Sequence, residues 1–252
     1  MRNKIVAGNW KMYKSPAESA EFAKSLVYAI TNLPSNLQVF VFPTTISLQS
    51  VQQQLVGSAI KSGAQNIHQE NEGAFTGEIS AAMVASIEGK ATLIGHSERR
   101  EYFNESNHLL SQKMQSALNH NLIPFYCCGE KLEERQASNH FNVVKAQLVE
   151  GLKGVSIEQM QNVVIAYEPV WAIGTGVTAT PAQAEEMHAF IRKTIEQLYS
   201  AKISHSISIL YGGSVKPANA SELFACKNID GALVGGASLV VDDFKAIVEA
   251  MC

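Results

Sequence analysis

The chain has 252 residues, of which 46% are hydrophobic and 17% charged, with a formal net charge of −3. A chain this long buries roughly three-quarters of its unfolded surface, so it needs no disulfide or metal staple; length alone leaves one large or two small domains open. The mild acidity argues against a general nucleic-acid binder, whose footprint is a basic excess, and 17 glycines with 7 prolines fit neither a collagen-like nor a disordered chain.

Short apolar runs recur along the sequence, each followed by polar residues or glycine and then by a helical pattern. Strands are expected at 4–10, 37–43, 63–68, 91–96, 122–128, 163–167, 207–211 and 231–235. Most lack period-two alternation, as strands covered on both faces do. Between the first two, Ser15-Pro16-Ala17-Glu18 supplies an N-cap, a proline at the first helical position and a capping-box glutamate. Phe22, Leu26, Val27 and Ile30 then form the apolar stripe. Leu110, Met114, Ala117 and Leu118 mark another helix, and Thr180-Pro181-Ala182-Gln183 repeats the capping device before Met187, Phe190, Ile191 and Ile195.

Eight strand–helix units in 252 residues are about 31 residues each, the length of one βα repeat. The pattern fits a closed (β/α)8 barrel, and an open doubly wound sheet shares it. In either case chemistry belongs at the strands' carboxyl ends. The four cysteines show no metal spacing and no disulfide framework, so reduced thiols in a cytosolic protein are expected. The first residues carry too short an apolar stretch for a signal peptide, and no run of about eighteen apolar residues predicts a membrane span.

The strand ends are informative. The first closes in Gly8-Asn9-Trp10-Lys11, where an ammonium awaits an anion, unless it snorkels to solvent or pairs with a carboxylate. The fourth closes in Gly95-His96-Ser97-Glu98-Arg99-Arg100; His96 is either a site imidazole or a hydrogen-bonded core histidine, with no partner at zinc spacing. In Tyr167-Glu168-Pro169 the proline stops the ladder and leaves Glu168 at the mouth, as a general base or in a structural ion pair. Residues 170–179 form a long loop with an apolar, glycine-bearing tip, a lid or else a packed surface loop. The last two strands end in Gly212-Gly213-Ser214 and Gly235-Gly236-Ala237-Ser238, where backbone N–H groups can approach a phosphate.

Taken in order, Gly8-Asn9-Trp10-Lys11-Met12, Gly95-His96-Ser97-Glu98-Arg99-Arg100, the run from Ala166 to Gly176, Gly212-Gly213-Ser214-Val215 and Val234-Gly235-Gly236-Ala237-Ser238-Leu239 resemble the triosephosphate isomerase family. The resemblance covers nearly the whole chain. It implies a single (β/α)8 domain over 1–252 that interconverts dihydroxyacetone phosphate and D-glyceraldehyde 3-phosphate in glycolysis and gluconeogenesis, in the cytoplasm and without metal or organic cofactor. By the same resemblance Glu168 is the base, His96 a neutral electrophile, and Lys11 and Asn9 stabilise oxyanion charge, with Glu98 an acid near Lys11. Gly174, Ser214, Gly235 and Gly236 would hold the substrate phosphate. The loop around Phe75 and Thr76 resembles the family's dimer arm, with Thr76 reaching toward the partner subunit's Asn9 and the partner subunit's Lys11; the alternative is that Phe75 packs on its own barrel.

Three departures stand out from that pattern. The second lid hinge reads Val177-Thr178-Ala179 where lysine is usual, Tyr13 replaces a common asparagine, and Cys128 replaces an aliphatic residue. The hinge change bears on opening and closing kinetics. Another phosphate-binding barrel enzyme, or a non-catalytic scaffold on the same fold, are the competing readings; the scaffold predicts loss of Lys11, His96 or Glu168, and all three are present.

Overall fold

The computed structural model describes residues 2–174 and 178–252. Eight strands, β1 (Lys4–Asn9), β2 (Leu37–Phe42), β3 (Ile60–Ala64), β4 (Ala91–Ile94), β5 (Ile123–Cys128), β6 (Val164–Tyr167), β7 (Ser208–Tyr211) and β8 (Gly231–Val234), alternate with helices. Each strand pairs in parallel with the next, and β1 pairs with β8 from Ile5↔Gly231 to Gly8↔Val234. That last ladder closes the sheet, so the open doubly wound alternative is excluded.

The helices begin where capping chemistry dictates. Pro16–Ala29 starts behind Ser15, whose backbone N–H donates to Glu18 Oε2 at 2.8 Å while its hydroxyl accepts from the Glu18 N–H. Pro181–Leu198 starts the same way behind Thr180 and Gln183. Such caps contribute about 1 kcal/mol each. Asn107–Asn119 buries Leu110, Met114, Ala117 and Leu118, the stripe read from the sequence.

Two layers of core follow from strand alternation. One lies between strands and helices and includes Val6, Val39, Ile60, Ala64 and Ile94. The other fills the barrel with Ile5, Ala7, Phe40, Phe42, Leu93, Phe125, Cys127 and Leu210. Phe125 meets Phe40 and Phe42 edge-on at 5.0 and 5.1 Å, geometry that aromatic quadrupoles favour. Burial pushes the Cys128 thiol up to about 12 and the Cys127 thiol well above its ordinary value, so both are inert filler at neutral pH. Among the described residues no helix is long and apolar enough to cross a membrane.

One strand lies elsewhere than expected. β3 runs Ile60–Ala64, three residues ahead of the predicted 63–68. Lys61 hides its start, because a charge interrupts the apolar run. Ile60 and Ala64 face the helices, so Lys61 between them faces into the barrel, in register with Phe40.

Candidate active site

A cavity of about 500 Å3 opens at the strands' carboxyl ends. Asn9, Lys11, His96, Glu168, Gly174, Ser214, Gly235 and Gly236, contributed by the ends of β1, β4, β6, β7 and β8, all line it. Asn9 and Gly236, far apart in sequence, thus share one wall only because the sheet closes. Glu98 is the exception: it lies behind Lys11, and its Oε1 receives the Lys11 Nζ at 2.5 Å. Among the described residues no group of three or more His, Cys, Asp or Glu side chains could hold a metal ion.

Glu168 and His96 are both held by one helix start. β4 stops at Ile94, and Gly95 turns the chain with φ +73°, a conformation that favours glycine. A Cβ there would also stand 2.7 Å from Leu110 Cδ1. The turn sets His96 as N-cap of the helix Ser97–Tyr102, with Nδ1 accepting the Glu98 backbone N–H at 3.3 Å. The neighbouring Ser97 N–H donates to Glu168 Oε2 at 2.9 Å, and His96 Nε2 lies 3.0 Å from Glu168 Oε1. Both side chains are buried.

Each group shifts the other. Burial raises the Glu168 carboxyl, but His96, the Ser97 N–H and Lys11 together hold it below its ordinary value. Burial lowers the His96 imidazole, and the facing Glu168 carboxylate, with Glu98 beside it, outweighs that and raises it. The Glu98 N–H acts in the opposite sense, since a proton on Nδ1 would face it. The tautomer with hydrogen on Nε2 satisfies both neighbours: Nδ1 accepts from the helix, and Nε2–H donates to Glu168.

Lys11 is fixed from several sides. It adopts φ +50°, its N–H donates to Asn9 Oδ1 at 3.0 Å, and its carbonyl accepts from Gln65 Nε2 at 2.7 Å. A non-glycine residue in the left-handed region costs of order 1 kcal/mol or more, which these bonds offset. They aim the ammonium across the mouth rather than out to solvent. Of the readings open in the sequence, pairing with a carboxylate is the one present, and the amine still lines the cavity.

The opposite wall is backbone. The short 3-10 helix Gly236–Leu239 begins at the end of β8, and the first N–H groups of such a turn have no acceptor within it. A Cβ built on Gly236 meets nothing within 4 Å, and one on Gly235 meets only Lys11 Cε at 3.7 Å. Nothing in the protein forbids a side chain at Gly236. Glycine there keeps open space for whatever enters the cavity. Gly174, with φ +69°, ends the described part of the loop after β6; the hinge residue Val177 lies outside the described residues.

Sequence reasoning passed over Glu130. It sits past β5, fully buried, and its Oε1 receives the Tyr167 hydroxyl at 3.0 Å, Trp171 Nε1 at 2.8 Å and Arg135 at 3.3 Å. These contacts anchor Val170–Ala172, the first turn of the loop that follows Glu168. The signal was present: Cys128-Gly129-Glu130 is also a strand end with a glycine and an acid. Ser97, the donor to Glu168, lies inside the motif that carries His96, but a backbone N–H leaves no mark in the residue type.

Away from the cavity, the loop carrying Phe75 and Thr76 projects from β3. Phe75 packs against His68 with ring centres 4.1 Å apart and the planes tilted by 38°, and it remains 42% exposed. Packing on its own barrel is therefore only partial. Met12, Ile46, Met83, Tyr102 and Phe103, from the first four units, are exposed as well.

Fold and site define the class: a (β/α)8-barrel enzyme with acid–base groups at the carboxyl ends of its strands. The family model described as triosephosphate isomerase matches residues 4–251. Proteins named triosephosphate isomerase are similar over full length: that of Flavobacterium johnsoniae is 50% identical over 251 residues, covering 100% of both chains. That of Carboxydothermus hydrogenoformans is 51% identical over 249 residues, and that of Bacteroides fragilis 49% over 250, each covering 99% of both chains. The chain belongs to the triosephosphate isomerase family, whose members are intramolecular isomerases.

Proposed function

We propose that the chain interconverts dihydroxyacetone phosphate and D-glyceraldehyde 3-phosphate, with Glu168 as base and His96 as electrophile. The observation that carries this is the 3.0 Å contact between Glu168 Oε1 and His96 Nε2 in a cavity that also presents Lys11 and the Gly235–Gly236 backbone. A substrate whose carbonyl oxygen accepts from His96 Nε2–H brings its adjacent carbon toward the carboxylate. Glu168 takes the proton from that carbon and returns it to the neighbouring one, and His96 moves the hydroxyl protons between the two oxygens.

Magnitudes divide the work. A general base supplies about 10²–10⁴-fold, too little for an unactivated carbon acid. Preorganised donors at the developing oxyanion contribute roughly 3–4 kcal/mol each, and His96, Lys11 and Asn9 are the candidates. Glu98 positions Lys11 from behind. The backbone of Gly174, Gly235 and Gly236, with Ser214, receives the phosphate, and closure of the loop after Glu168 excludes water from the enediolate.

The exposed apolar side chains of the first four units, Phe75 among them, support a homodimer formed through that loop. One barrel domain over 1–252 serves glycolysis and gluconeogenesis in the cytoplasm. A coupled assay that follows glyceraldehyde 3-phosphate formation tests the reaction directly. Turnover in the wild type that disappears in E168Q upholds it; a wild type without turnover refutes it.

A further inference from the structure

We propose that the amino-terminal mouth of the barrel, opposite the candidate active site, holds a small tetrahedral oxyanion of the phosphate kind against Lys61. A second cavity, of about 210 Å3, opens there among the starts of the strands. Its lining includes the Lys61 side chain and the carboxamides of Asn3, Gln38, Gln161 and Asn162. No carboxylate is among the described lining residues.

Lys61 is the observation that calls for a ligand. Its side chain points inward, its Nζ donates to Gln38 Oε1 at 2.9 Å, and it lies 5.3 Å from the Phe40 ring centre. Among the described residues it has no salt bridge. Burial lowers its pKa, and the next influence, Lys90, lowers it further. Lys61 is half-buried, and the two fully buried cations of the described residues are each paired with a carboxylate. Lys113 Nζ meets Glu105 at 2.7 Å, and Arg192 meets Asp230 at 2.6 Å. A desolvated charge normally has such a partner, because a neutral amide and a ring face offset only part of its lost hydration. The carboxyl ends of the surrounding helices also favour a cation at this end. That effect fades beyond the last turn, and the helices lie outside the ring of strands.

An oxyanion in the bowl would accept from the remaining Lys61 protons and from carboxamide N–H groups, and would relieve the repulsion between Lys61 and Lys90. Ser208, on the same wall, has its hydroxyl committed to the Asn3 carbonyl at 2.7 Å, so the amides and the ammonium are the recognising groups. Nothing in this site takes part in the proposed isomerisation, which occupies the other end of the barrel.

The test separates the two ends of one molecule. Labelled protein is titrated with inorganic phosphate, and in a second arm with glycerol 3-phosphate, at constant ionic strength. The Gln38 and Asn162 side-chain amides and the Lys61 methylene carbons report the lower mouth, and the Gly235 and Gly236 amides report the upper one. Saturable shifts at the lower mouth in wild type, weakened about tenfold or more in K61Q and retained in K61R, support the site. The tighter of the two probes names the free ion or the ester as occupant. In K90Q, at an exposed position, weaker binding by a few-fold is expected, and isomerase turnover should stay within about twofold of wild type in both K61Q and K90Q. Lower-mouth resonances that do not move while Gly236 does, or that move equally in K61Q, overturn the proposal.

Discussion

Two consecutive backbone N–H groups serve the proposed base and electrophile: Ser97 N–H donates to Glu168 Oε2 at 2.9 Å, and Glu98 N–H donates to His96 Nδ1 at 3.3 Å. The first turn of a single helix therefore adds to the effect of His96 in holding the carboxylate as an anion, and it favours the imidazole tautomer that presents hydrogen on Nε2. The orientations of Glu168 and His96 thus depend on the same helix start. That is also why a histidine at the N-cap position, unusual among capping residues, makes sense here.

Shortening the base separates positioning from binding. Glu168→Asp withdraws the carboxylate by about one bond length, and a misplacement near 1 Å costs on the order of 10²-fold. We expect kcat to fall by about that factor with KM changed only a few-fold, measured in the coupled assay. Equal turnover in the two proteins removes Glu168 as the base.

The pH profile depends on the same contact. Burial raises the Glu168 carboxyl, and His96 is the first of the influences that bring it below the ordinary 4.5. In His96→Gln burial loses its main opponent, so the acid limb of kcat/KM should move to higher pH. The sign for stability follows: with a lowered folded value, Glu168 stabilises the fold fully above its unfolded range, and the contribution is lost as pH falls through the lower folded value. His96, raised above 6.5, stabilises fully below that value and loses its contribution as pH rises through the folded one. An acid limb that does not move in His96→Gln means the carboxylate is not coupled to this imidazole.

How much of this was legible in the sequence differs by residue. Strand ends carrying a polar group beside glycine or proline (Asn9, His96, Glu168, Gly235) could be read directly, because glycine and proline punctuate the chain and strands of a barrel aim their ends at one face. Barrel closure could not, since it is a property of the β1–β8 ladder and leaves no local mark. The start of β3 was hidden by Lys61, a charge at an interior position that periodicity treats as a loop. Glu130 was invisible for a related reason: its role depends on Tyr167, Trp171 and Arg135 converging from other segments. Long-range convergence of this kind has no sequence spacing.

Glu130 gives the next test. Glu130→Gln keeps the shape but replaces a charged acceptor facing the Tyr167 hydroxyl, the Trp171 indole and the Arg135 guanidinium. A loss of about 1–3 kcal/mol is expected, or roughly 2–10 °C in melting temperature by calorimetry. Because Val170–Ala172 is the first turn of the loop over the cavity, KM should rise as well. A variant with the wild-type melting temperature and KM would show that the contacts are dispensable.

Phe75 tests assembly. Its ring is 42% exposed on a projecting loop, so a charge there costs little within one subunit but much between two. Phe75→Glu, and deletion of residues 75–78, should both yield monomers by light scattering, with activity reduced. A dimer that persists in both variants places the interface elsewhere.

Lys11 and Glu98 form a pair whose members should respond unequally. Lys11 lines the cavity and Glu98 does not, yet the two side chains meet at 2.5 Å. Lys11→Ala removes the proposed donor to substrate oxygen, so KM should rise and kcat fall together, with kcat/KM down by 10² or more. Glu98→Gln removes only the partner behind it. The pair is partly solvent-exposed, at 27% and 41%, and such pairs contribute little, so a change of a few-fold is expected. If Glu98→Gln proved as damaging as Lys11→Ala, Glu98 would have to touch substrate itself rather than stand behind Lys11.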